Sequence, residues 1–235
     1  GPWQVPIQLG AFSASTPNFS REHRFMINSD LVMGAHRLSA RFSYQQFRSA
    51  GSGELPVAQF NNSVVFDPRR LTLSHIWTVK PTVLNEFRFA FVHDINGYLL
   101  PSLPAGPGST DVFGNYYMDD ISLPIGPQSN LPQGGADNIY QAGNNLTWIK
   151  GGHTFKGGVE YRMIISASDF LPRARGEYSW GTDSSLGQLS NMDSFVRDFF
   201  PATVAIRGVG LSRFAQNRAG INFFLQDSWR IRPRW

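Results

Sequence analysis

The sequence predicts an all-β protein, an antiparallel meander that forms part of a transmembrane β-barrel of the outer membrane. Three features predict this fold class: strands that alternate apolar and polar residues, strands longer than those of soluble sheets, and short turns that alternate with long loops. Helical periodicity is scarce, and no run approaches the ~18 apolar residues that a transmembrane helix needs. A membrane crossing would therefore be made by strands.

Seven long strands follow from alternation with a period of two residues. They are predicted at residues 23–33, 36–48, 69–79, 83–95, 138–149, 153–166 and 214–231. In the fourth strand, Phe87, Phe89 and Phe91 share one face, and Glu86 and Arg88 share the other. Every predicted strand exceeds the roughly five or six residues of a typical soluble strand and reaches the about 9–11 residues that cross a tilted bilayer span.

The connections between the strands alternate in length. Short turns are predicted at Met33–His36, Lys80–Thr82 and Lys150–Gly152, and residues 232–234 resemble the start of a fourth. The long connections, rich in Gly, Pro, Ser and Asn, are residues 49–68, 96–137 and 167–213. Outer-membrane barrels have short periplasmic turns and longer extracellular loops. The short-turn end is therefore predicted to face the periplasm.

Three of the six tryptophans lie at matched distances before the short turns, on the apolar side of their strands. They are Trp77, Trp148 and Trp229, and the basic residues that follow them are Lys80, Lys150 and Arg232. Outer-membrane barrels carry aromatic girdles at the membrane interface, and basic side chains beyond them reach lipid headgroups. We predict that these tryptophans form the periplasmic girdle. The alternative is that tryptophan favours strands in general.

Charged residues cluster on the polar side of the predicted strands. They are Arg37, Arg41, Glu86, Arg88, Lys156, Glu160, Arg162 and Arg218. We predict that this side lines the lumen of the barrel, where such charges bias the passage of solutes or hold an internal domain through ion pairs. The alternative is that a water-filled lumen tolerates charge without using it. No substrate-binding residue is predicted from this set.

The composition argues against several functions. The net charge of +4 is spread along the chain, with no Lys/Arg block typical of nucleic-acid binding. There is no cysteine, and the five histidines show no metal-ligand spacing. The acidic segment 111–120 lacks the spacing of an EF-hand loop, so we interpret it as solvated. No catalytic motif is present, so we expect no enzymatic activity, no cofactor and no metal.

One segment, residues 189–201, breaks the alternating pattern and predicts a short helix. Ser190 or Asn191 would cap its start, and Pro201 would end it. Met192, Phe195, Val196 and Phe199 would share one face. We expect this face to pack near Tyr178 and Trp180 or to belong to a ligand-capturing surface.

Several hairpins resemble the barrel of TonB-dependent outer-membrane receptors. The segments are "NNLTWIKGGHTFKGGVEYR", "RARGEYSW" and "NFFLQDSWRIRPRW", together with "MGAHRLSARFSYQQF" and "LSHIWTVKPTVLNEFRFAFVHD". The nearest subgroup is the Oar-like one, which carries a carboxypeptidase-regulatory-like N-terminal domain. The resemblance covers about residues 20–235 and implies a central barrel fragment, with the plug and the remaining strands outside this sequence. It implies a barrel of about 22 strands with a plugged lumen.

The resemblance implies active transport energised by TonB and uptake of a scarce nutrient such as an oligosaccharide, a peptide or a metal chelate. The expected partners are outer-membrane lipid, TonB and an unidentified small nutrient, with no nucleic acid. A passive porin or adhesin-type barrel is the alternative, and an upstream plug would separate the two. A secreted soluble β-sandwich is a third hypothesis. It predicts two packed sheets in place of one meandering sheet.

Overall fold

A computed structural model describes residues 10–11, 13, 15–16, 18–50, 60–100, 113–180, 191–197 and 204–231. The strands and the one α-helix, in chain order, are β1 (Ser20–Met33), β2 (His36–Ala50), β3 (Ser63–Phe66), β4 (Arg69–Lys80), β5 (Val83–Leu99), β6 (Asn115–Met118), β7 (Leu123–Ile125), β8 (Gln133–Lys150), β9 (His153–Phe170), β10 (Glu177–Trp180), α1 (Asn191–Val196), β11 (Val204–Ile206), β12 (Arg213–Ala215) and β13 (Arg218–Trp229). In this part of the chain, no helix is long and apolar enough to cross a membrane.

The main sheet is one antiparallel meander. Its order is β1, β2, then β3 with β4, then β5, β8 and β9, and finally β12 with β13. β3 and β4 follow the same path between β2 and β5, and β12 and β13 share the path beside β9. Seven strand paths therefore lie side by side in a single layer. This single layer differs from the two packed sheets that a β-sandwich would have.

All seven predicted strands have their counterparts in this sheet, and most continue beyond the predicted bounds at the long-loop end. The prediction of one strand at 214–231 is corrected, because this segment forms two strands, β12 and β13, separated by Gln216 and Asn217, and the second ends at Trp229. The path predicted at 69–79 begins earlier, with β3, and is interrupted at Asp67 and Pro68. Proline has no backbone N–H to give to a sheet ladder. The interruption is held by the Arg48 guanidinium, which donates to both carboxylate oxygens of Asp67 at 2.8 and 2.6 Å.

Two residues connect the strands at each described short turn. Gly34 and Gly151 have φ of +55° and +60°, the left-handed region that glycine enters at least cost. The turn between Lys80 and Val83 has no glycine, and the register shifts between Thr78 and Lys80. A bulge in β4 bends the strand at this turn, whereas a glycine with positive φ makes the bend in the other two turns.

The pairing register descends by two residues from one hairpin to the next. Met33 pairs with His36 at the first turn, and the row of His36 continues to Trp77 and Asn85. Asn85 lies two residues past Val83, where the second turn closes.

The same step recurs at the third turn. The row of Val83 passes through Trp148, which lies two residues before Lys150, where the third turn closes. A step of one residue per strand, about 3.3 Å of rise against about 4.8 Å between strands, corresponds to a tilt of about 35°. Strands of closed barrels tilt by about 35–45°.

The long connections are more ordered than the sequence predicts, and their prediction as loops is corrected. Part of 49–68 is β3, and the ends of 96–137 and 167–213 extend β5, β8 and β9. The middle of the last two segments forms a second sheet, in the order β11, β10, β6, β7. Its strands have only three or four residues, too short for an alternating pattern to stand out among prolines and glycines.

Candidate membrane and ligand-binding surfaces

The main sheet has an apolar face that runs without interruption across its strands. One row joins Phe42, Leu71, Phe91, Tyr140 and Met163 by direct cross-strand pairing. A second row joins Ala40, Leu73, Phe89, Ala142 and Tyr161 in the same way. On the outermost strand, the side chains of Phe223 and Leu225 are 84% and 91% exposed. An apolar surface of this extent, open on one side, is typical of a membrane-facing sheet.

Several polar side chains on the apolar face form pairs with one another. Asn85 and Asn144 exchange two amide hydrogen bonds, at 2.8 and 3.1 Å. A ring nitrogen of His36 lies 3.0 Å from one of His75. The third pair joins His153 Nδ1 to a carboxylate oxygen of Asp227 at 2.8 Å. Mutual pairing lowers the free-energy cost of placing these groups against hydrocarbon.

The three predicted girdle tryptophans lie on this apolar face. Trp77 is in the row of the first turn, Trp148 is two rows lower and Trp229 four rows lower, in the row of His153. Trp77 and Trp148 each lie two rows above the described turn that follows them, and Trp229 continues the same descent. The turn predicted after Trp229, at residues 232–234, lies outside the described residues. The Nζ atom of Lys150 lies over the ring of Trp148, 5.2 Å from the ring centre. Arg232 lies outside the described residues.

A second group of aromatic residues lies at the other end of the apolar face. It consists of Tyr44, Phe91, Tyr140 and Tyr161. On β8, eight residues separate Trp148 from Tyr140. At about 3.3 Å per residue and a tilt of about 35°, this separation is about 22 Å along the membrane normal. The apolar band of outer-membrane barrels is about 25 Å tall and flanked by aromatic girdles on both sides.

The opposite face of the main sheet is polar. All eight charged residues predicted to line a lumen fall on this face by the pairing register, namely Arg37, Arg41, Glu86, Arg88, Lys156, Glu160, Arg162 and Arg218. Arg88 and Glu86 form an ion pair at 2.6 Å. Glycine at position 143 separates Arg88 from Glu160 in one row and leaves a groove of about 420 Å³ between them.

The second sheet forms, with α1, a separate small core that we call the loop lobe (residues 113–131, 171–180, 191–197 and 204–206). One face of its sheet carries Tyr116, Tyr178 and Trp180, whose rings stack at 5.4 to 5.9 Å. Phe195 of α1 covers this face, with its ring 5.0 Å from that of Trp180. The predicted helix therefore packs near Tyr178 and Trp180, as expected. Val196, predicted to share the packing face, is 60% exposed, which corrects that part of the prediction. Ser190, Phe199 and Pro201 of the predicted helix lie outside the described residues.

A buried arginine joins the segments of the loop lobe. The Arg175 guanidinium donates to the carbonyl oxygens of Leu131 and Phe113, both at 3.1 Å, and to those of Pro127 and Gln128. Burial lowers the pKa of Arg175 from its usual value. These carbonyl groups lie in a loop whose backbone has no regular pairing, so few backbone N–H groups can reach them. The Arg175 side chain supplies the missing hydrogen-bond donors.

The other face of the lobe sheet holds a polar pocket of about 490 Å³. Its lining residues are Asn115, Tyr117, Ser122, Pro124, Ser129, Glu177 and Ser179. Arg173 Nε donates to Glu177 Oε1 at 2.9 Å. Burial alone would raise the pKa of Glu177, but the hydrogen bonds from Ser129 and Arg173 outweigh it, and the pKa is lowered. Glu177 is therefore ionised at neutral pH.

Sequence reasoning missed the residues of this polar pocket and the role of Arg175. The segments "NYYM" and "EYSW" alternate in type, which is the signal for β6 and β10, but four residues give it little weight. The acidic segment 111–120 contributes Asn115 and Tyr117 to the pocket, while Asp119 lies in a short turn after β6. Within the described ranges, no group of three or more acidic or histidine side chains is placed to hold a metal ion.

The geometry defines a class of protein. A tilted antiparallel meander with one continuous apolar face, one charged face and aromatic residues at both ends of the apolar band is a part of an outer-membrane β-barrel. The comparison with known families agrees: residues 4–235 match the family described as "Outer membrane beta barrel domain", and the chain belongs to this family. Its location is the bacterial outer membrane. No curated protein and no solved structure matches the chain.

Proposed function

We propose that the chain is part of an active transporter of the TonB-dependent receptor type, which takes up a scarce nutrient through the outer membrane. The observation that carries the proposal is the loop lobe. At one end of a membrane-type sheet, two long connections fold on each other around Arg175 and the ring of Trp180, which stacks on that of Tyr116. A folded lobe with its own polar pocket is suited to capturing a ligand before passage.

The polar face of the main sheet supports the same proposal. It carries charges of both signs, and the Glu86–Arg88 pair at 2.6 Å sits beside the groove at Gly143. A wall of this kind is suited to holding an internal plug domain by ion pairs, which a freely conducting pore does not require. The hairpins that resemble TonB-dependent receptors, such as residues 144–162, point to the same type of protein.

On this proposal the chain acts by binding and passage, without covalent chemistry. Its partners are outer-membrane lipid at the apolar face, TonB through a plug and TonB box encoded upstream, and a small nutrient at the loop lobe. Within the TonB-dependent receptors, the proposed subgroup is the Oar-like one. A passive porin or an adhesin-type barrel would share the membrane sheet and differ in having no plug.

The test is the conductance of the parent protein. We expect the full-length protein, reconstituted in a planar bilayer, to show no steady open-pore conductance, and its periplasmic side to bind the C-terminal domain of TonB in a surface plasmon resonance assay. Removing the upstream plug should open a large conductance in the same barrel. A steady conductance in the intact protein, without TonB binding, would instead establish the passive porin.

A further inference from the structure

The polar pocket of the loop lobe differs from the aromatic face on the other side of the same sheet. Tyr116, Tyr178 and Trp180 on the aromatic face stack on one another and under α1. Tyr117 lies on the pocket face, and within the described ranges its ring has no aromatic partner. The stacked rings are accounted for by the core of the lobe, whereas the ring of Tyr117 borders open space.

Polar groups converge on this space from four segments of the chain. Asn115 is 4% exposed and is held by a hydrogen bond from its amide nitrogen to Pro127 O at 3.3 Å. Ser129 is 8% exposed and its carbonyl oxygen accepts from the backbone N–H of Arg173 at 3.0 Å. Hydroxyl groups of Ser122 and Ser179 complete the lining. The groups are fixed by the fold, so a ligand would meet a preformed site.

The charges of the pocket cancel locally. Among the lining residues that the structure describes, the one carboxylate is that of Glu177, and it is paired with Arg173 at 2.9 Å. An anionic ligand would have to compete with Glu177 for Arg173, and a cationic ligand would have to compete with Arg173 for Glu177. An ionised carboxylate has about four lone-pair sites, and Arg173 and Ser129 occupy two of them. The remaining sites favour a neutral ligand that donates hydrogen bonds.

We propose that this pocket binds a neutral saccharide unit, with the ring of Tyr117 against the C–H face of the sugar and Glu177 accepting from its hydroxyl groups. The apolar surface of Pro124 beside an otherwise polar lining fits a molecule with one apolar face and a rim of hydroxyls. A volume of about 490 Å³ lies within the range of roughly 300–1,000 Å³ typical of small-molecule sites. The inference rests on the proposed function, of which it names the substrate class.

The experiment is a binding measurement that does not require transport. The full-length protein, purified in a zwitterionic amine-oxide detergent because alkyl maltosides carry a sugar headgroup, is titrated calorimetrically with cellobiose, xylobiose, maltose and chitobiose. Triglycine and inorganic phosphate serve as the peptide and anion probes. We expect saturable binding of at least one disaccharide and none of triglycine or phosphate.

Two substitutions locate the binding in the pocket. Tyr117→Ala and Glu177→Gln should each lower the affinity for the disaccharide at least 10-fold. Tyr117→Phe should retain most of the affinity because it keeps the ring. Tyr98→Ala, an exposed tyrosine at the end of β5, is the matched control and should change nothing. Near-ultraviolet circular dichroism of the Tyr116–Trp180 stack reports whether each variant keeps the lobe folded.

The proposal is overturned if none of the disaccharides binds, if binding is unaffected by Tyr117→Ala and Glu177→Gln in folded variants, or if triglycine or phosphate binds with the same sensitivity to them. These results are separable from the conductance test. Disaccharide binding by a steadily conducting porin would retain the pocket and reject active transport. A TonB-binding, plugged barrel that binds no disaccharide would do the reverse.

Discussion

Single residues decide how the loop lobe holds together, and Arg175 is the clearest case. Its guanidinium has several N–H groups in a fixed planar arrangement, and it reaches carbonyl oxygens on residues 113, 127, 128 and 131. These carbonyls come from irregular backbone, which has few other ways to satisfy buried polar groups. One side chain therefore substitutes for several missing backbone partners.

Replacing Arg175 should loosen the lobe without affecting the main sheet. Arg175→Ala leaves several carbonyls unsatisfied, which we expect to cost about 3 kcal/mol of local stability. Hydrogen exchange of amides in residues 113–131 should then accelerate by about 100-fold, while exchange in β8 and β9 stays unchanged. Arg207→Ala removes one exposed hydrogen bond to Ala174 and is the control. Equal exchange rates in both variants would rule out this role for Arg175.

Glu177 gives the lobe a dependence on pH. Its folded-state pKa is lowered below the ordinary value of 4.5, so the folded state binds fewer protons there than the unfolded state. The stabilisation is complete above the ordinary pKa and is lost as the pH falls from 4.5 through the lowered pKa. We expect acid exposure in this window to weaken the lobe, measured by hydrogen exchange of β10. Glu177→Gln should remove this dependence, and a slope that persists in the variant would contradict the assignment.

At the scale of elements, the two faces of each strand have different environments. Neighbouring residues Phe89 and Ala90 on β5 illustrate the difference, since Phe89 pairs with Leu73 and Ala142 on the apolar face, and Ala90 pairs with Thr72 and Gln141 on the polar one. Residue type alone, alternating along the strand, is enough to predict this. The sequence also predicts the short turns, because a glycine lies in the first and third and a tryptophan precedes the second and third.

The shorter elements were not predictable in the same way. β6, β7, β10 and β11 each have three or four residues, and what stabilises them is mutual pairing between distant segments, such as the parallel pairing of Tyr116 with Tyr178. The polar pocket depends on that pairing, so its residues could not be grouped from the sequence. Arg175 likewise carries no local signal, because its partners are backbone carbonyls 44 or more positions away.

A charge placed on either face of β5 should reveal which one meets lipid. Phe89→Arg puts a guanidinium inside the apolar band, between its middle and the aromatic group that includes Phe91, which should cost about 2 kcal/mol of folding free energy in the membrane. Ala90→Arg adds the same group one residue away, on the polar face, and should cost less than about 1 kcal/mol. Reversible urea unfolding of the full-length barrel in lipid vesicles measures both. Similar costs for the two variants would overturn the assignment of the faces.

At the scale of the whole molecule, the register determines the tilt. A descent of one residue per strand corresponds to about 35° between the strands and the membrane normal, as barrel closure requires. The two edge strands, β1 and β13, present backbone groups that the described sheet does not pair. In hydrocarbon each such group costs several kcal/mol when it is left without a hydrogen-bond partner.

The tilt can be measured directly. Polarised infrared spectroscopy of the full-length protein in oriented bilayers should give a mean strand angle of about 35–45° from the membrane normal. Strands parallel to the normal would contradict the register.

For the chain expressed alone, we expect aggregation in water, since an open apolar face and two open edges favour association. A monodisperse monomer in detergent-free buffer, detected by light scattering, would be the contrary result.

The descent of the register by an even number has an evolutionary consequence. Because side chains alternate with a period of two, a hairpin that lowers the register by two residues leaves the next strand in phase with the one before it. A hairpin can therefore be duplicated, deleted or transplanted as one module without turning its apolar side inward, whereas a single-strand insertion cannot. Barrels of different circumference within one lineage are then related by counting hairpins, and recombination between paralogues is safest at the short turns.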